Sequence, residues 1–129
     1  MKRQKWLSLG TLLVFFAIFT GCEVADIQDS LTITGIPKVG ETLIVSSQVP
    51  DIYKPNRPLW WVNDTEGYGG RNITAGFSFT IPWSEYYPEW NGSVNFIGKY
   101  IYTTQEFYDG ENRFNVVRSN IIGPIQAKE

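Results

Sequence analysis

The chain has 129 residues, with 11 Lys plus Arg, 13 Asp plus Glu, no histidine and a formal net charge of -2. The missing histidine excludes Ser-His-Asp and Cys-His catalysis and every His-containing zinc or copper site. The missing clusters of Lys and Arg exclude nucleic acid as a partner, and the 16% aromatic content suits an all-β domain.

Residues 9–22 (LGTLLVFFAIFTGC) form an uncharged apolar run that follows Lys2, Arg3 and Lys5, which is the layout of a secretory signal. A spanning helix needs about 20 consecutive apolar residues. The uncharged stretch 6–21 is shorter and is diluted by Ser8, Gly10, Thr11 and Thr20. The stretch resembles a bacterial lipoprotein signal, with Phe19, Thr20, Gly21 and Cys22 at the lipobox and Phe19 where leucine is more usual. The resemblance implies cleavage before Cys22, lipidation of its thiol and anchoring of an exported protein to a membrane of the bacterial envelope. Cys22 is the only cysteine, so it has no internal disulfide partner, and lipidation would remove an otherwise reactive exported thiol.

On this reading residues 1–21 are the signal, 22–30 a polar tether and 31–125 one domain. Loss of Lys2, Arg3 and Lys5 leaves 8 basic against 13 acidic residues in the mature part, about -5. Its 108 residues suffice for one modest core.

Residues 31–35 (LTITG) alternate apolar and polar and stop at Gly35 and Pro37, which predicts a short strand and turn. Residues 42–49 (TLIVSSQV) predict a second strand with Leu43, Val45 and Val49 on one face. The three prolines of 50–58 mark a loop. Residues 59–63 (LWWVN) are strongly β-prone, with Leu59 and Trp61 on one face and Trp60 and Val62 on the other. The glycine-rich stretch 64–72 reads as a turn or connector. Residues 76–81 (GFSFTI) place Phe77, Phe79 and Ile81 on one face. Residues 82–97 then break the rhythm with two prolines, an Asn-Gly signal and five aromatics. Two long strands, 98–108 and 113–122, flank a turn at 109–112 and predict an antiparallel hairpin. Short strands between Gly and Pro turns, with no helical period, predict an antiparallel β-sandwich.

The run LTITGIPKVGETLIVSS at 31–47 is similar to the opening of bacterial immunoglobulin-like repeats of surface proteins and adhesins. Leu59 with Trp61, Phe79-Thr80-Ile81, Gly98-Lys99-Tyr100-Ile101 and SNIIGPI at 119–125 resemble later motifs of the same family, in the same order. The resemblance implies an immunoglobulin-like sandwich of about seven strands, acting as a spacer or binding module rather than an enzyme and needing no cofactor. The chain departs from the family in the long aromatic insertion, 82–97, before the penultimate strand. The alignment leads us to expect Leu43, Val45, Trp61, Phe79, Ile81, Ile101 and Val116 in the core, and Trp61→Ala to cost more stability than Trp60→Ala. For 98–108 two faces are open: Ile101, Thr103 and Phe107 inward, or Tyr100 and Tyr102.

Within the insertion, Trp83, Tyr86, Tyr87 and Trp90 lie beside Glu85 and Glu89. Exposed aromatic planes next to polar groups suit a protein or glycan ligand, while a segment folded over a sheet edge would bury the same rings. Asp64 with Glu66 and Asp109 with Glu111 fall in turns where acids are ordinary. Neither pair supplies the six to eight oxygens that calcium takes, so no metal is expected. Glu85 and Glu89 would make a glycosidase pair only at a set separation inside a cleft, and no enzyme activity is expected.

Overall fold

The computed structural model describes residues 30–128, so the signal, Cys22 and all of the tether but Ser30 lie outside the described residues. Strands form where β-branched and aromatic residues alternate with polar ones. In chain order they are β1 Leu31–Thr34, β2 Thr42–Ser47, β3 Leu59–Asn63, β4 Arg71–Ala75, β5 Ser78–Thr80, β6 Ser84–Tyr87, β7 Gly92–Asn95, β8 Tyr100–Tyr108 and β9 Phe114–Arg118. The protein is all-β. One sheet has the order β1-β2-β5 and the other β4-β3-β8-β9, while β6 and β7 form a separate hairpin. All named pairs are antiparallel. This is an antiparallel β-sandwich of seven strands, with the insertion folded as a hairpin ahead of the penultimate strand.

The core lies between the two sheets. Leu31, Ile33, Leu43 and Val45 come from the three-stranded sheet and Trp60, Val62, Ile101, Phe107 and Val117 from the four-stranded one. Of the expected core, Leu43, Val45, Ile81 and Ile101 are buried and Phe79 packs against them half-buried. Two expectations are corrected. Trp60, not Trp61, is the fully buried indole, because the register sets Trp60 opposite Thr103 and Val62 opposite Ile101 on the inner face, and Trp61 opposite Tyr102 on the outer one. Val117, not Val116, faces inward, since it lies opposite Gln105, and Val116 opposite Glu106 is 41% exposed. Strand β8 therefore turns Ile101, Thr103, Gln105 and Phe107 inward.

Other departures concern strand limits. Residues 71–75, of which the sequence assigns 71 and 72 to a connector and 73–75 to no element, form the edge strand β4, which pairs with β3 through a bulge at Trp60/Trp61. Only glycine fits at position 70, where φ is +93° and a Cβ would collide with the Val62 carbonyl. Strand β5 begins after Phe77, whose side chain is 52% exposed because the chain is still bending there. At its carbonyl, Gly76 accepts the Trp60 indole N–H at 2.9 Å.

Polar side chains join the sheets where apolar packing ends. Asn120 hydrogen-bonds both backbone groups of Ile33 in β1, accepting at 2.8 Å and donating at 3.1 Å. Buried Gln105 accepts from Ser47 of β2 and donates to the Asn56 carbonyl at 2.7 Å. The tail then crosses to the first sheet, where Gln126 bonds with Pro37 and Val39.

The β8–β9 turn is built on Asp109. One carboxylate oxygen accepts the Glu111 and Arg113 N–H groups at 2.9 and 3.0 Å, and the other accepts Arg113 Nε at 3.2 Å and Asn115 Nδ2 at 3.1 Å. The Arg113 backbone N–H, aided by the Glu111 N–H, the Asn115 amide and the Arg113 charge, holds the Asp109 carboxyl down at about 2 against an ordinary 3.8.

Two predictions follow from this packing. Trp60→Ala should cost about 3 to 5 kcal/mol, and Trp61→Ala, which loses a half-exposed ring, about 1 to 2 kcal/mol; equal denaturation midpoints would contradict the assigned faces. Because the folded Asp109 pKa is depressed, its contribution is complete above about pH 4 and is lost as pH falls through about 2. Urea melts of Asp109→Asn should therefore decline less than wild type across that window, and parallel declines would remove Asp109 from the acid response.

Candidate functional site

The insertion folds as a hairpin because Pro88–Trp90 form one 3₁₀ turn closed by Asn91 in the left-handed region at φ 49°. It is fixed to the sandwich by Tyr87, Val94 and Phe96, all buried in the common core. The hairpin divides the four rings singled out from sequence. Tyr87 is buried and Trp90 half-buried, whereas Trp83 and Tyr86 are 59% and 54% exposed.

Tyr87 and Trp90 stack at 4.8 Å between centroids with planes 12° apart. The Arg71 guanidinium of β4 sits 4.6 Å from the Trp90 ring centre, a cation–π geometry. With a phenol and a guanidinium already against it, Trp90 is not a free stacking platform. Burial, then the charges of Glu85 and Glu89, push the Tyr87 phenol up to about 12, so it stays neutral at physiological pH. Trp83 and Tyr86 remain open to solvent, and Tyr86 is steadied by its hydroxyl on Asn91 Oδ1 at 2.7 Å.

A second aromatic group, not foreseen from sequence, covers the outer face of the four-stranded sheet. Trp61 stacks on Tyr102 at 6.2 Å, Tyr68 meets Tyr102 edge-on at 4.9 Å, and Arg118 lies 5.0 Å above Tyr68. Tyr108 and Phe114 form an exposed pair further along the same face. Burial raises the Tyr102 phenol, opposed by the Arg118 charge. The alternation of 100–108 held this signal, but only the β3 and β9 partners bring the rings together.

Two open grooves flank these groups. One, of about 560 Å³, is lined by Leu31, Thr32, Tyr68, Val116, Arg118, Ser119 and Asn120. Its polar groups are largely committed to the fold: Tyr68 donates to Ser119, Ser119 to Asn120, and Asn120 to Ile33. The other, of about 440 Å³, runs between the hairpin and strands β3 and β4 and includes Asn63, Arg71, Trp90, Ser93, Asn95 and Lys99. Here Asn63, Asn95 and Lys99 each make one polar contact, and Arg71 makes a ring contact with Trp90 and no ion pair with any described residue. Among the described residues no group of three acidic or sulfur ligands converges to hold a metal. Asp64 pairs instead with Lys99 at 3.2 Å, and Asp109 is spent on its turn.

Exposure makes a direct prediction. In acrylamide quenching, Trp83→Phe should remove the largest share of quenchable emission and Trp60→Phe the smallest; the reverse order would show that the hairpin packs otherwise. No family model, curated protein or solved structure matches this chain.

Proposed function

We propose that the protein is an exported immunoglobulin-like interaction module held to a bacterial membrane by lipid on Cys22. The observation that carries the interaction reading is the set of large rings left in solvent: Trp83 and Tyr86 on the hairpin, and Tyr68, Tyr108 and Phe114 on the four-stranded sheet. Exposed aromatic clusters on a small domain mark binding surfaces, because solvation of such area is unfavourable unless a partner covers it.

The anchor reading rests on sequence. The run 9–22 ends at the sole cysteine, after three basic residues, in a pattern similar to a lipobox. Among the described residues no helix is long and apolar enough to cross a membrane. The resemblance of 31–47 and 119–125 to bacterial immunoglobulin-like repeats of surface proteins supports the same reading. A glycan ligand is the second possibility, and it is favoured specifically by the groove beside the hairpin.

Cells fed a clickable fatty acid should label the wild-type protein and not Cys22→Ala. Protease added outside intact cells should degrade the domain if it is displayed on the surface. Absence of label on wild type would sink the anchor, and protection from protease would place the domain on the inner side of the envelope.

A further inference from the structure

The groove between the β6–β7 hairpin and strands β3 and β4 presents a guanidinium without an acceptor among the described residues. Arg71 makes a ring contact with Trp90 and no ion pair or side-chain hydrogen bond with any described residue. The guanidinium carbon lies 4.6 Å from the Trp90 ring centre, and the edge of a guanidinium matches the two oxygens of a carboxylate.

Around it stand three short neutral polar side chains, Asn63, Ser93 and Asn95, and the charged pair Asp64 and Lys99. Asn95 uses its Oδ1 to accept the Ile97 N–H at 3.1 Å, which leaves its NH₂ unpaired. Asn63 donates from Nδ2 to the Gly67 carbonyl at 3.2 Å, which leaves its Oδ1 unpaired. Ser93 also lines the groove. Lys99 is held only by Asp64, whose side chain is 82% exposed; such exposed pairs are weak and exchange readily with a ligand. Asp64 is the one acid among the lining residues, against Arg71 and Lys99. The groove is therefore locally positive on a domain that is negative as a whole, and its volume falls in the range of small-ligand sites.

We propose that this groove binds a carboxylate-bearing saccharide of the uronate type, with the carboxylate on Arg71 and sugar hydroxyls on Asn63, Ser93 and Asn95. A donor fork beside separate amide and hydroxyl groups suits a molecule that carries one anion among many hydroxyls. An acidic peptide carries no array of hydroxyls to match Asn63, Ser93 and Asn95 beside the Arg71 fork. The inference gives a ligand class to one surface of the proposed interaction module, yet it stands on the groove alone. Failure of Cys22 labelling would leave it intact.

The test is calorimetric titration of the full chain in detergent with a short oligogalacturonate, its neutral methyl ester and an oligoglutamate peptide. Binding of the oligogalacturonate at least about tenfold tighter than the ester is expected, with a similar loss in Arg71→Gln. Tyr108→Ala, on the outer sheet face, should bind as wild type. Since Arg71 also packs on Trp90, thermal melts of Arg71→Gln verify folding, and exposed Asn95→Ala gives an independent, smaller loss. No binding, equal binding of the ester or of oligoglutamate, or unchanged affinity in both groove variants would overturn the proposal.

Discussion

The buried indole of Trp60 is the constraint on which the rest of the packing depends. A fully enclosed Trp must still satisfy its N–H, and the bend at Gly76 does so, its carbonyl accepting at 2.9 Å. That one bond ties β3 of the four-stranded sheet to the entry of β5 in the other. Trp60 then touches Phe79, and Phe79 touches Phe96, each pair with centroids 5.7 Å apart. Phe96 closes the insertion. A continuous row of rings therefore runs from one sheet through the other to the base of the hairpin, so the hairpin is part of the core rather than an appendage.

Polar links complete what the rings leave open. A sandwich has exposed edges, and an unpaired β1 edge would invite strand addition. Asn120 meets both backbone groups of Ile33 as another strand would, and the tail then runs beside Pro37–Val39 through Gln126. The same economy explains why the two grooves differ in character. Near β1 the side chains that could face a ligand are already used to close the sandwich. Beside the hairpin, closure is apolar, through Tyr87, Val94 and Phe96, so Arg71, Asn63 and Asn95 keep polar atoms without a partner among the described residues.

The fold was legible because alternation and turn chemistry are local. Fold class, the β8–β9 hairpin and the core positions Leu43 and Val45 of β2 follow from that signal alone. The faces of β3 and β9 were not legible, since LWWVN and the Val116-Val117 pair offer equal hydrophobicity on both sides and period two cannot rank them. The choice is made by distant partners: Thr103 and Ile101 against Trp60 and Val62, and Gln105 against Val117. Strand β4 was hidden because its turn needs glycines that also read as a loop, and its one buried residue, Ile73, gives no period. Of the site, the sequence showed the aromatic hairpin and missed Arg71, whose relation to Trp90 depends on an edge strand about twenty residues upstream.

These partitions bear on how a small domain can carry a site at all. A sandwich of this size needs its aromatic residues for its own stability, and Trp60, Phe79, Phe96, Tyr87 and Trp90 are spent in that way. What remains for recognition lies where the packing stops. Trp90 marks that boundary, with Tyr87 stacked on it from the core and Arg71 lying against it from β4. The ring that the sequence suggests as a ligand platform instead carries a cation over its face. Recognition at the groove would then be polar and directional, and the hydrophobic contribution would come from Trp83 and Tyr86, which the same hairpin leaves in solvent.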